Sequence, residues 1–411
     1  MVVKASAVRW RRIMVDTTKL MTELIRGEVC GGAAPRLCGL ADGLTDGKLS
    51  DETAKLLYKT AKSHDLAHVV AAALEKPRAD GLAVGEELRG AFQKQRLTAI
   101  YRYERSNYEL GVLCRVLEEA RIPFMPLKGS VLREYYPEPW MRTSCDIDVL
   151  VHEEDLSRAV AALESGAGYE EKYRSPHDVS LYSRSGVHIE LHFTLMEDGR
   201  ANECAELLSR AWEFSHPVGG FEHRYELCDE MFYFYHVAHM AKHFEEGGCG
   251  VRPFLDMWIL NHRVGGDADR RVALLSQGNL LKFAGSCEAL SEVWFGGQEH
   301  NELTMKMQDY LMNAGVYGNV ENRVVINYAK RGSKIGYILS RIWTPYEKLK
   351  VVYPSLEGKR ILTPVYQIKR WFRILKESGL KKLKTEVRVT SAQSAETTQK
   401  TAEFLAELGI K

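Results

Sequence analysis

The run Cys145–Val151, CDIDVLV, sets two carboxylates inside an otherwise apolar stretch of strand character. Side chains alternate across a strand, so Asp146 and Asp148 share one face. Acidic groups among Ile, Val and Leu are costly to bury unless they are paired or bound to a metal. The segment therefore demands both a sheet to hold it and a partner for its charge.

The flanking pattern supplies the sheet. From Ile122 onward, short β-type runs alternate with helical ones. Ile122–Leu127 (IPFMPL) is a short apolar run, followed by Lys128-Gly129-Ser130 and a helix-like stretch to Tyr136. After the Cys145–Val151 strand come an amphipathic helix over Glu153–Ser165 and two strands, Val179–Ser183 and Val187–Thr194, joined by a turn at Ser185-Gly186. This is an α/β unit.

On either side the chain reads as helical. Residues 17–119 carry helical spacing apart from a Gly-rich interruption between Gly27 and Gly47. Within them Glu52–Leu74 is one helical pattern with Ser50 as its N-cap and Asp51 and Glu52 in the first turn, where negative charge is favoured. A breaker cluster, Glu75 to Gly81, separates it from a second pattern over Glu86–Ala120. Residues 226–262 return to helical spacing, and 389–411 begins with a polar linker and ends in a short amphipathic helix. The expected division is an N-terminal helical region (1–95), an α/β core (96–218), a helical domain (219–320), a basic C-terminal segment (321–390) and a tail helix (391–411).

Composition excludes several classes. With 45% hydrophobic and 27% charged residues, the chain is neither disordered nor collagen-like. Its eight cysteines lie at least eight apart in 411 residues, which fits neither a disulfide framework nor a zinc motif. No apolar run approaches the length of a membrane span, and the N-terminus lacks the apolar region of a signal peptide, so a reducing, cytoplasmic location is the expectation. The net charge of +1 conceals an asymmetry: residues 321–390 hold 17 basic and five acidic residues, a balance of +12 that leaves −11 for the remainder.

The candidate chemistry gathers around the acidic strand. Glu190 lies in a second strand-like run, His188-Ile189-Glu190-Leu191-His192, and if the two strands are neighbours three carboxylates converge. Oxygen-rich sites of this kind suit Mg²⁺, which is held by a few carboxylates together with phosphate oxygens and water. Upstream, Gly129 allows a phosphate close to the backbone, Ser130 offers a hydroxyl near a helix N-terminus, and Lys128 adds positive charge. A phosphate-binding turn, an Asp-x-Asp strand and a third acidic strand together describe a nucleotidyl-transfer site. The competing readings are ordinary ones: Gly129 and Ser130 as a helix entry and its cap, Lys128 and Arg142 as surface charges, and His188 as a packed, hydrogen-bonded side chain.

LKGSVLREYYPEPWMRTSCDIDVLV followed by VHIELHF resembles the nucleotidyltransferase superfamily pattern. Within it the chain looks most like the uncharacterised bacterial nucleotidyltransferase family, with its LKG turn, an Arg shortly before DIDxLV and an acidic-x-His strand. HVAHMAKHFEEGGCGVRPFLD looks like the helical part of that family, and the resemblance covers roughly residues 95–262. It implies an α+β fold with a mixed-sheet core between N-terminal and C-terminal helical regions. It implies that Asp146 and Asp148 ligate metal, with Glu190 completing a second metal site and helping to deprotonate the acceptor. Gly129 and Ser130 would bind the β- and γ-phosphates, with Lys128 and Arg142 as charge partners of the pyrophosphate. Mg²⁺, with Mn²⁺ as a substitute, is the implied cofactor. An NTP, with ATP the leading choice, is the implied donor. The acceptor is open among a small molecule, a glycan precursor, RNA and protein. One departure stands out: Ser130 and Asp146 are further apart than is commonest in the superfamily.

His236, His239 and His243 recur at spacings of three and four and so share a helix face, a geometry that zinc could use. The resemblance instead has His239, Lys242, His243, Arg252 and Asp256 line the cleft or pair within the helical domain, and His192 is a further candidate for the cleft. The basic segment 321–390 interleaves its charges with Tyr and Trp, which suits a nucleic-acid or an anionic membrane partner, or a packed helical subdomain. Two other functions compete with transfer to an unknown acceptor. One is a catalytically inactive nucleotide- or RNA-binding protein of the same fold, and the other a toxin-like enzyme that modifies RNA ends.

Overall fold

A computed structural model describes residues 17–31, 44–45, 48–76, 82–195, 203–245, 247–312, 343–346, 349–350, 353–376 and 395–410. The chain enters through helices α1 (17–29), α2 (Asp51–Ser63) and α3 (Ala67–Glu75). Ser50 caps α2 as its sequence predicts, accepting a hydrogen bond from the Thr53 N–H at 3.2 Å. The single helix expected over 52–74 is broken, however. Asp65 adopts φ +54°, and its backbone turns the chain between α2 and α3. The apolar period runs unbroken across this corner because both helices bury their faces in one core, so the hydrophobic pattern could not reveal the break.

Helix α4 (Glu86–Glu119) is a 34-residue strut, about 51 Å long at 1.5 Å per residue. Its N-terminal half buries Phe92 and Ala99 with the first helices, and its C-terminal half places Leu113 and Leu117 under the sheet. The sheet has five strands: β1 (Phe124–Pro126), β2 (Asp146–Val151), β3 (Glu170–Arg174), β4 (Asp178–Tyr182) and β5 (His188–His192). Their spatial order is β1-β2-β5-β4-β3, with β2 and β5 parallel and the remaining pairs antiparallel. The mixed sheet matches the expected α+β class. Strand β3 (EEKYR) went unread because it is a charged edge strand without apolar alternation, a composition that protects an exposed edge.

One face of the sheet is a core. Ile147, Val149 and Val151 of β2, with Ile189 and Leu191 of β5, meet Leu113 and Leu117 of α4. Helix α5 (Leu156–Ala167) closes the same side with Leu156, Ala159, Val160 and Leu163, and ends at Gly168 in the left-handed region, φ +65°. The opposite face carries the acidic residues and looks toward helix α6 (Asp229–Glu245). Helix α6 is buried around most of its circumference and is followed, after a turn with Gly247, Gly248 and Gly250 at positive φ, by α7 (Arg252–Arg263). The helical stretch expected over 226–262 thus begins with the end of a short strand, Tyr225–Leu227, and continues as two helices.

These helices do not form a core separate from the N-terminal ones. Leu20, Leu57, Val70, Phe92, Phe234, Phe254, Phe283 and Leu408 belong to a single continuous cluster. The tail forms the expected helix, Ala395–Glu407, and Leu405 and Leu408 join that cluster. Most of the basic segment lies outside the described residues, but helix Thr363–Lys376 is within them and is built on a small cluster of its own. The described cysteines form no disulfide, and no described helix is long and apolar enough to cross a membrane.

Candidate active site

Register brings the acidic residues together. The parallel pairing sets Asp146 beside His188, Asp148 beside Glu190 and Leu150 beside His192, so both aspartates and Glu190 project from the same face. Two overlapping sets of ligand atoms result, each within 4.8 Å: Asp146, His188 and Glu190, and Asp148, Glu190 and His192. Glu190 is common to both.

The two aspartates differ electrostatically. Asp148 is 3% exposed. Its Oδ1 accepts from Lys128 Nζ at 2.8 Å and from His192 Nε2 at 2.9 Å. Burial would raise its pKa, but the Lys128 ammonium and the His192 bond overcome that and hold the carboxyl far below the usual carboxylate range. The Asp146 side chain has no hydrogen bond or ion pair among the described residues. Burial, and then the charges of Asp148 and Glu190, push it up to about 6. Glu190 is lowered, first by its bond to His192, whose Nε2 lies 3.5 Å from Glu190 Oε2. For His192 burial opposes the charge, but its bonds to Asp148 and Glu190 prevail and raise its pKa. The imidazole therefore orients two carboxylates at once.

The turn after β1 is built against this strand. Leu127 N–H donates to Asp148 O at 2.9 Å, and Lys128 follows with φ +45°, a conformation that a residue with a Cβ rarely adopts. That strained turn carries the lysine to Asp148 and opens the short helix Gly129–Leu132. Gly129 sits in a tight space: a Cβ there would lie 3.0 Å from Ser144 Cβ and would press on that side chain. Ser130 is buried, with an Oγ that has no hydrogen-bond partner among the described residues.

The long stretch between Ser130 and Asp146 is not a loose loop. It forms two short 3₁₀ turns, Arg133–Tyr135 and Pro139–Met141, and is pinned from three directions. Arg133 Nε donates to Gly129 O. His68 Nε2 lies 2.8 Å from Met141 O. Arg142 Nε donates to both Asp256 oxygens, at 2.7 and 3.0 Å, and Tyr136 OH donates to Asp256 Oδ1 at 2.7 Å. Thr143 and Arg252 both donate to Asp65 Oδ2, each at 2.6 Å. The expectation that Arg142 serves the pyrophosphate thus meets a competing fact: its Nε faces Asp256 and its Nη1 donates to Thr143 O. Asp256, fully buried, is its counter-ion and is held ionised against burial by Arg142. Both residues still border the cleft.

That cleft has a volume of about 350 Å³ and is walled by β2 and β5 on one side and by α6 and α7 on the other. Lys128, Gly129, Asp146, Asp148 and Glu190 line it together with His239, Lys242, His243 and Arg252. His239 and His243 approach each other at 2.9 Å through their Nε2 atoms, while His236 points to Pro253 O. The three histidines form no three-ligand metal group among the described residues. Burial, followed by the Lys128 charge, lowers His239 well below its ordinary pKa. His188 lies 3.2 Å from Ser180 Oγ and stacks on Tyr182, so it is packed and hydrogen-bonded while also belonging to the Asp146 set.

Sequence reasoning passed over Tyr235 and Phe232, which share the cleft-facing side of α6 with the histidines, and His177, which stacks 6.1 Å from His192. The three- and four-residue spacing of Phe232, Tyr235, His236, His239 and His243 carries the signal for the first two.

A mixed five-stranded sheet covered by helices on one face, with co-facial carboxylates on its central parallel pair, is the α+β arrangement of a nucleotidyltransferase. A family model described as uncharacterised nucleotidyltransferase matches residues 50–296, more than half of the chain, and the protein belongs to that family. The match begins at α2, so it takes in α2 and α3 but not α1, as well as the stretch that carries the motifs. Neither the comparison with curated proteins nor that with solved structures gave a match.

Proposed function

We propose that the protein is a metal-dependent nucleotidyltransferase that moves NMP from an NTP, with ATP the leading choice, to an acceptor hydroxyl and releases pyrophosphate. The observation that carries this reading is the set of three carboxylates facing one cleft, joined through Glu190. The donor set fits a hard divalent cation: carboxylate oxygens dominate, and Asp146 has no protein cation bonded to it among the described residues, which suits Mg²⁺ or Mn²⁺. Asp146, Asp148 and Glu190 would hold it. When bound, such an ion offsets triphosphate charge and acidifies the acceptor hydroxyl.

The remaining roles belong to the chain. The acceptor oxygen attacks the α-phosphorus, the bond from that phosphorus to the β-phosphate bridging oxygen breaks, and the electron pair leaves with pyrophosphate. Glu190, kept ionised by His192, receives the hydroxyl proton. Gly129 and the Ser130 hydroxyl receive the β- and γ-phosphates, since the Ser130 N–H already donates to Leu127 O, and Lys128 lies where it can divide its charge between Asp148 and a phosphate. Arg142 acts by fixing the segment that leads into β2. His239, Lys242, His243 and Arg252 form the far wall, where the acceptor enters.

Purified protein incubated with each α-labelled NTP, Mg²⁺ and fractionated cell extract is expected to label one class of acceptor and to release pyrophosphate stoichiometrically. Metal-dependent NTP binding with no pyrophosphate release in any fraction would instead support a catalytically inactive binding protein. The contact of Lys128 with Asp148 gives that second reading its one supporting observation.

A pH dependence follows from Asp146. Its pKa is raised to about 6, so below that value it holds a proton that a cation must displace. Divalent-ion affinity is then fully present above about pH 6 and falls as pH drops, by about tenfold per unit while one proton is displaced. Calorimetric Mn²⁺ titrations from pH 5 to 8, in buffers of different ionisation enthalpy, read both the slope and the released proton. A flat profile would remove Asp146 from the ligand set.

A further inference from the structure

Helix Thr363–Lys376 has an anchored side and an outward one. On the first, Thr363 and Gln367 are buried, Gln367 Nε2 donates to Thr344 O, and Tyr366 packs 5.3 Å from Tyr353. That side anchors the helix to its own small cluster of Leu349, Tyr353 and Leu356. The second side is apolar and faces outward. Val365, Ile368 and Phe372, at spacings of three and four, are 59%, 49% and 69% exposed, and Ile361 in the preceding turn is 93% exposed. Basic residues adjoin the stripe: the sequence of the helix holds four Lys or Arg and no Asp or Glu, Lys359 and Arg360 precede it, and Lys369 lies over the Tyr353 and Tyr366 rings at the edge of the anchored side.

An outward stripe of this kind is costly in water and marks an interaction surface. The identity of its exposed members selects the partner. Nucleic acid would reward stacking rings and phosphate contacts, whereas the most exposed positions here include the branched aliphatics Ile361 and Val365. An aliphatic stripe flanked by Lys and Arg, with a half-exposed Trp371 at its border, is complementary to a bilayer surface. The apolar side chains enter the acyl boundary while the cations meet anionic headgroups. We propose that Thr363–Lys376 is an in-plane helix that docks the protein on an anionic lipid bilayer. This is independent of the transfer reaction, since it uses no residue of the cleft.

Flotation of the full-length protein with vesicles tests it. The wild type is expected to float with phosphatidylcholine–phosphatidylglycerol vesicles and to remain at the bottom with phosphatidylcholine alone, with 0.5 M NaCl weakening the association. Ile368→Asp/Phe372→Asp, at exposed positions, should keep the circular dichroism of the wild type and lose at least tenfold in partitioning. Lys369→Glu/Arg370→Glu should lose a comparable factor on anionic vesicles. Failure of the wild type to float with anionic vesicles overturns the proposal, as does undiminished flotation of the Ile368/Phe372 variant. Retention of RNA or of a protein without vesicle binding would assign the face to that partner and overturn it equally.

Discussion

Asp148→Asn is expected to lower nucleotidyl transfer by about 10³-fold or more, roughly 4 kcal/mol of transition-state stabilisation. The reason lies in the position of Asp148 between three other groups. Its Oδ1 already holds Lys128 and His192, and β-strand register sets it directly beside Glu190. The amide removes a ligand charge and also removes what keeps Lys128 at this spot and His192 raised in pKa. A stability loss of about 3 kcal/mol accompanies it, because buried cations are left with a neutral neighbour. Transfer from labelled NTP, Mn²⁺ affinity and the denaturation midpoint should therefore all fall together. Full transfer by a stably folded Asp148→Asn protein would sink the proposed mechanism.

The second large effect is structural. Arg142→Met should destabilise the protein by about 3–5 kcal/mol, since it strands a buried Asp256 with Tyr136 as its main remaining donor. The double variant Arg142→Met/Asp256→Leu should recover most of that loss, because removing both charges also removes the desolvation penalty. Urea denaturation of the two single variants and the double one measures the coupling. The outcome also separates two roles for Arg142. A guanidinium serving the pyrophosphate would raise the KM for NTP and leave stability alone. The geometry predicts the reverse, with reduced stability and a lower kcat from a displaced β2 entry. Equal stability of wild type and Arg142→Met would return Arg142 to the phosphate.

These two cases also show what could be read from the chain beforehand. β2 and β5 were legible because their apolar alternation is interrupted only by carboxylates and histidines, so period two fixed which residues share a face. The Gly129 turn was legible because a glycine before a helix has few reasons to be there, and the 3.0 Å that would separate a Cβ at this position from Ser144 Cβ is one of them. Arg142 shows the limit. A sequence displays its charge but not that Asp256, 114 residues later, neutralises it. Lys128 is similar, since its reach to Asp148 depends on one strained backbone angle rather than on spacing. Strand β3 was hidden by the polarity that an edge requires, and the corner at Asp65 by a hydrophobic period that continues through it.

That corner has a wider consequence. Asp65 sits at a reversal between two helices far upstream of the sheet, yet its carboxylate receives both Thr143 and Arg252, and His68 one turn later reaches Met141 O. The segment feeding the acidic strand is thus propped by the first hundred residues as much as by its own neighbours. A fragment trimmed to the sheet and its two covering helices would keep every carboxylate and lose the scaffold that aims them. The unit that shapes this cleft is larger than the sheet that carries its carboxylates.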